Sequence, residues 1–141
     1  MAIVMDRAAL TVFLADQFGQ VAQEFAVEAV DDEELTLRLI VQQRHLRPGG
    51  TVSGPSIFAL ADVAVYLAIL ARIGPVALAV TTSASVDFLR KPAAGVDLLA
   101  QARILKLGRV LAVGDVLIRS AGGADVVARA SLTYSIPPAR G

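Results

Sequence analysis

Apolar and polar residues alternate along this chain with two different periods, and the changes of period divide it into elements. Ala9, Leu10, Phe13, Leu14 and Phe18 recur at helical spacing and form one apolar stripe. Asp6 precedes the stripe as a suitable cap, and Gly19 is expected to end the helix. Phe25, Val27 and Ala29 then alternate with more polar neighbours. Leu35, Leu37, Leu39 and Val41 do the same, the period-2 signature of a strand. The acidic turn from Asp31 to Glu34 between these runs implies a hairpin. His45 to Pro55 is a loop rich in helix and strand breakers.

A helix is predicted over residues 56–72. Pro55 suits its first turn, where a missing N–H has no partner to lose. This helix is apolar on nearly every face, which means burial rather than a surface position. Gly74-Pro75 stops it. Four strands follow, predicted over 76–90, 96–107, 109–120 and 124–136, with Lys91-Pro92, Gly108 and Ala121-Gly122-Gly123 as the breaks between them. Short turns imply antiparallel pairing. The expected architecture is α+β, an antiparallel sheet wrapped around a central apolar helix, in one domain over 1–141.

Composition narrows the function. Hydrophobic residues make up 55% of the 141, an excess carried by alanine and valine rather than aromatics. Lysine plus arginine and aspartate plus glutamate number 13 each, so no basic footprint for nucleic acid is present. There is no cysteine and one histidine, which removes thiolate chemistry and any metal site built from several histidines. Met1 to Arg7 lacks the basic and apolar regions of a signal peptide, and the longest apolar run is short for a bilayer span. A cytoplasmic protein with no membrane partner is expected.

Asp62 breaks the pattern. It is the only charged residue between Arg47 and Arg72. Burying an ionised carboxylate without partners costs several kcal/mol, in order of magnitude. Asp62 is therefore either a general base or nucleophile facing a pocket, or an aspartate held at a subunit interface by backbone amides or an arginine. Gly54 supplies a second clue. An N–H at a helix N-terminus has no partner within the helix and carries the positive end of the dipole, so it can polarise a carbonyl. Asp62 lies eight residues further on, about 12 Å along the axis at 1.5 Å per residue. If both act on one carbonyl, they must come from two chains.

The segment His45-Leu46-Arg47-Pro48-Gly49-Gly50-Thr51-Val52-Ser53-Gly54-Pro55, followed by Leu60-Ala61-Asp62, resembles the signature of the PaaI-type acyl-CoA thioesterases of the hotdog-fold superfamily. Asp87-Phe88-Leu89-Arg90-Lys91-Pro92 matches a downstream family pattern with one extra residue before the proline, and Gly108-Arg109, Val127-Ala128 and Thr133-Tyr134 extend the likeness over nearly the whole chain. The resemblance implies a hotdog fold and hydrolysis of an acyl-CoA thioester to free acid and coenzyme A, with no cofactor beyond the coenzyme A of the substrate. Asp62 matches the family's carboxylate, which activates water or attacks the thioester. Gly54 matches the glycine whose N–H polarises the carbonyl. Thr81 falls where a Ser or Thr often orients the water or the carboxylate.

Two residues depart from the family pattern. Arg47 replaces an Asn and Ser53 a His, both substrate-orienting positions; Arg47 is expected to pair with Asp62 or with substrate. Arg90, Lys91, Lys106 and Arg109 form a candidate cluster for the coenzyme A phosphates. His45 is read as structural. The resemblance also implies a homodimer or a dimer-of-dimers tetramer with its sites at the subunit interface. A non-catalytic acyl-CoA or acyl-carrier binder, a dehydratase or hydratase using His45, and a purely structural dimerisation module are the competing readings. The apolar helix wall suggests an aryl or medium-chain acyl group.

Overall fold

In a computed structural model, which describes residues 2–138, Asp6 caps the first helix α1 (Arg7–Gln17) through a hydrogen bond from the Ala9 N–H to its Oδ1 at 2.9 Å. Leu10, Phe13 and Leu14 of α1 are buried. Gly19 does not end the helical path as its sequence position suggests. It opens a one-turn helix α2 (Gly19–Ala22) that carries the chain on to β1 (Phe25–Val30). The 31–34 turn then leads into β2 (Leu35–Leu39), which pairs antiparallel with β1. A 3₁₀ turn at Gln43–His45 and the glycine-rich loop bring the chain to α3 (Gly54–Ile73). Ser53 caps α3, its Oγ accepting from the Ser56 N–H. Gly74 closes it in a left-handed conformation (φ +97°) that a side chain would strain, its N–H bonding the Leu70 carbonyl.

The remaining strands are β3 (Val80–Phe88), β4 (Leu98–Leu107), β5 (Leu111–Ser120) and β6 (Val126–Ser135). All six strands form one antiparallel sheet in the order β1-β2-β4-β5-β6-β3, so β1 and β3 are its edges. This is the hotdog arrangement, with α3 lying along the concave face and packed against every strand. The first predicted strand after α3 is shorter than its β-branched run suggests. Residues 76–79 turn back on themselves through bonds from Val76 to Gly74 and from Ala79 to Val76. Tyr66 Oη, donating to the Ala77 carbonyl at 2.8 Å, ties that turn to the helix.

The alanine excess has a packing explanation. Across β4, β5 and β6 the residues facing α3 form rows: Ala100, Ile118 and Ala128 in one, Ala102, Val116 and Ala130 in the next. Each row places a bulky residue between small ones, and all six are buried. The small positions leave room for α3, whose Leu60, Leu67, Ile69 and Leu70 are each completely removed from solvent. Burial on that scale contributes about 1.5–3 kcal/mol per large side chain. By length and composition α3 passes for a membrane span, but most of it is buried as the core helix.

Gly114 is a point of close approach between sheet and helix. A Cβ built there would sit 2.7 Å from Val65 Cγ1 of α3. Gly114→Ala should therefore lift the helix from the sheet and cost about 1–3 kcal/mol, as overpacking does. Urea denaturation monitored by circular dichroism measures this loss.

Candidate active site

Asp62 sits mid-way along α3, half-buried, on the side that meets β3 and β6. Two hydroxyls hold its carboxylate. Thr81 Oγ1 donates to Oδ1 at 2.6 Å, and Tyr134 Oη approaches the same oxygen at 2.7 Å. Tyr134 Oη also lies 3.0 Å from the Asp62 main-chain oxygen. Thr81 and Tyr134 are direct cross-strand partners on β3 and β6, so one rung of the sheet supplies both donors.

A β-bulge decides which threonine takes part. From Phe88 back to Ser83 the register with β6 is regular, and Ala84, Val86 and Phe88 pair with Leu132, Ala130 and Ala128. Continued without interruption, that alternation would set Thr82 opposite Tyr134. Instead the register shifts between Thr81 and Ser83, so Thr82 is the additional residue and Thr81 takes the rung. Thr82 Oγ1 bonds the Thr133 carbonyl.

Tyr134 is a site residue that residue order alone does not reveal. On a strand with alternating burial, a tyrosine is indistinguishable from a core aromatic until its hydroxyl is located. Its ring stacks on Tyr66 with centroids 6.0 Å apart, and Phe13 and Phe18 pack on Tyr66 in turn. Burial, together with the adjacent charge of Asp62, pushes the Tyr134 hydroxyl well above the ordinary tyrosine range, so it holds its proton and serves as a donor.

Asp62, Thr81 and Tyr134 open onto a cleft of about 500 Å³ whose wall includes Phe18, Val63 and Tyr66. Glu24 also lines this cleft, and its Oε1 lies 2.6 Å from His45 Nε2. His45 Nδ1 accepts the Gln42 N–H at 2.9 Å, which places the ring proton on Nε2 and directs it to Glu24. His45 itself is buried and does not line the Asp62 cleft; its bonds join the loop before α3 to the start of β1.

Gly54 faces a different cleft, of about 340 Å³, shared with Arg47, Phe88, Arg90 and Lys91. In the first turn of α3 the Ser56 N–H is capped, the Ile57 N–H bonds the Ser53 carbonyl, and Pro55 has no N–H. Among the described residues the Gly54 N–H has no acceptor, so it is the free dipole-end donor of the helix. The Phe88 ring lies against Gly54, 3.4 Å from where a Cβ would stand.

Within one chain the expected site thus falls into two parts. Arg47 lies exposed in the Gly54 cleft and makes no bond to the Asp62 of its own chain, whose carboxylate is met by two neutral hydroxyls. Ser53 is engaged as the cap of α3. The four basic residues also divide. Arg90, paired with Asp125 at 3.4 Å, and Lys91 lie beyond the end of β3. Lys106 and Arg109 lie at the β4–β5 turn, whose far side pairs with the end of β6 and so adjoins the start of β3. No group of three or more metal-binding side chains occurs among the described residues.

The model of the thioesterase superfamily matches residues 49–127, more than half of the chain, and the chain belongs to that superfamily. A candidate thioesterase from a Silicibacter species is 59% identical, with a TM-score of 0.92 over 98% of this chain and 96% of the other. A single-residue mutant of the phenylacetic acid degradation protein PaaI from Thermus thermophilus is 31% identical over 86% of this chain and 100% of its own, with a TM-score of 0.71. A hypothetical thioesterase from Streptococcus pneumoniae, solved with coenzyme A, shares the fold at 23% identity and a TM-score of 0.70, over 83% of this chain and 91% of its own. None of the curated proteins matches this chain.

His45→Ala would leave the Gln42 N–H without its acceptor and Glu24 with only Arg44, at 3.6 Å. It should lower stability by about 1–3 kcal/mol, the cost of an unsatisfied part-buried donor, as read from a shifted urea midpoint at unchanged slope.

Proposed function

We propose that this protein hydrolyses an acyl-CoA thioester, with Asp62 of one subunit and Gly54 of its partner acting on the same carbonyl. The observation that carries this reading is the placement of the two groups at opposite ends of one edge strand. Asp62 is tied to the start of β3 through Thr81, and Gly54 rests on Phe88 at its end. The strand is open: Val80 and Phe88 are each 56% exposed. A nine-residue edge whose exposed side chains include Val80 and Phe88 is a template for pairing with another chain. Two-fold antiparallel pairing through β3 sets the start of one copy against the end of the other. Asp62 then meets the partner subunit's Gly54, and Arg109 comes to the same end as the partner subunit's Arg90 and Lys91. The basic residues divided in one chain become a single set for phosphates, and Arg47 and Ser53 stay beside the carbonyl-binding glycine.

The reaction follows from these groups. Asp62 takes a proton as water adds to the thioester carbon, and the Gly54 N–H holds the oxyanion that forms. Collapse breaks the C–S bond, and the proton passes to the departing thiolate, giving free acid and coenzyme A. Direct attack by Asp62 would instead leave a mixed anhydride, which hydroxylamine traps as a hydroxamate. The coenzyme A bound by the Streptococcus pneumoniae protein supports the choice of thiol. The apolar and aromatic wall of the Asp62 cleft favours an aryl or medium-chain acyl group.

A panel of acyl-CoAs with free-thiol detection tests the reaction. Asp62→Asn should lower turnover by about 10²–10⁴-fold, the usual contribution of a general base, while leaving binding intact. Binding without turnover across the panel would make the protein a carrier instead. The shared site has its own test. Asp62→Asn and Gly54→Pro are each expected to be inactive, the second because it removes the N–H. Co-refolded in equal amounts, they should recover about a quarter of wild-type activity, since half of the dimers are mixed and each of those has one intact site of two. A mixture that stays inactive overturns the two-chain site.

A further inference from the structure

We infer that Tyr134 is a positioning residue that, together with Thr81, saturates one oxygen of Asp62 and leaves Oδ2 as the oxygen that takes the proton from water. The inference rests on the proposed role of Asp62 and adds which atom reacts and what fixes it.

Oδ1 receives two short hydroxyl contacts, 2.6 Å from Thr81 and 2.7 Å from Tyr134. No contact of this kind is made by Oδ2 among the described residues. A carboxylate oxygen has two in-plane acceptor directions, and two donors occupy both. Tyr134 has one proton, and of the two acceptors within reach the charged Oδ1 is nearer than the main-chain oxygen of Asp62 at 3.0 Å. With that proton on Oδ1, the Tyr134 and Thr81 hydroxyls hold the carboxylate at one oxygen from two directions and prevent it from rotating. The phenol is itself fixed, because its ring stacks on Tyr66 and Tyr66 is bonded to Ala77. A carboxylate pinned at one oxygen presents the other in a constant direction, which is what proton transfer to a bound water requires.

Four titratable groups line this cleft: Asp62, Tyr134, Glu24 and Tyr66. Glu24 is engaged by His45, and the Tyr66 hydroxyl by the Ala77 carbonyl. Burial raises the Tyr66 hydroxyl above the ordinary tyrosine range, as it does that of Tyr134, so neither phenol titrates where the acid limb of a rate profile lies. Of these four groups it is Tyr134 that is bonded to the Asp62 carboxylate, so a change confined to its hydroxyl acts on that carboxylate first.

Tyr134→Phe keeps the stacked ring and removes only the hydroxyl. The expected result is a kcat about 10- to 100-fold lower, the effect of losing one hydrogen bond to a charged group, with KM nearly unchanged and the acid limb of the pH–kcat profile moved to higher pH. Wild-type kcat together with an unmoved limb overturns the inference. Asp62→Asn, assayed alongside, separates the two levels. Turnover surviving in Asp62→Asn removes the Asp62 reading and this inference with it. An inactive Asp62→Asn beside an unaffected Tyr134→Phe removes this inference alone. If Tyr134→Phe unfolds, 3-fluorotyrosine at position 134 gives the second measurement: its stronger donor should move the limb to lower pH, and an unmoved limb counts against the role.

Discussion

Everything in this molecule follows from the burial of one helix. α3 is apolar on every face, so it is stable only when covered, and the six-stranded sheet curves around it to do so. Coverage determines the composition of the sheet. Ala100, Ala102, Ala128 and Ala130 leave the depth that the helix side chains need, and Gly114 brings the backbone within reach of Val65. It also makes a carboxylate on that helix expensive unless donors are provided. The sheet provides them from a single rung, Thr81 and Tyr134, which lets Asp62 stay on a helix that otherwise carries no charge between its first turn and Arg72.

The same helix measures out the chemistry. Its N-terminus presents the one free N–H of the first turn, and two turns later it presents the carboxylate. Because α3 is rigid, these groups are held apart by a length that no side-chain movement can close. Within one protomer the two groups therefore face separate clefts. The thioesterase superfamily to which the chain belongs gives those groups their chemical sense, and the open β3 edge is what the proposed pairing of two chains uses.

Much of this was legible from residue order. The helical stripe of α1, the alternation in β1 and β2, the buried α3 and the four following strands all come from periodicity that the structure keeps. Asp62 is visible because a charge in an apolar run is costly whatever the fold. What escaped the sequence depends on register or on long-range proximity. Residues 76–79 look like strand because Val76 and Leu78 continue the apolar run into β3, and the turn shows only in the Tyr66 bond to Ala77. Arg90 and Arg109 look like one cluster, because both sit beside turns, and only the strand order sends them to opposite ends. Tyr134 looks like core, and by its ring it is core; its hydroxyl alone belongs to the site.

The bulge beside that hydroxyl has a consequence for error tolerance. A slip of one residue normally turns a strand inside out, replacing each inward side chain by an outward one. At this point in β3 the two residues competing for the inward position are Thr81 and Thr82. Either register offers a threonine hydroxyl to Asp62. The strand carries threonine at both candidate positions where its register with β6 shifts, so the choice between the two frames changes which hydroxyl is presented and not its chemical kind.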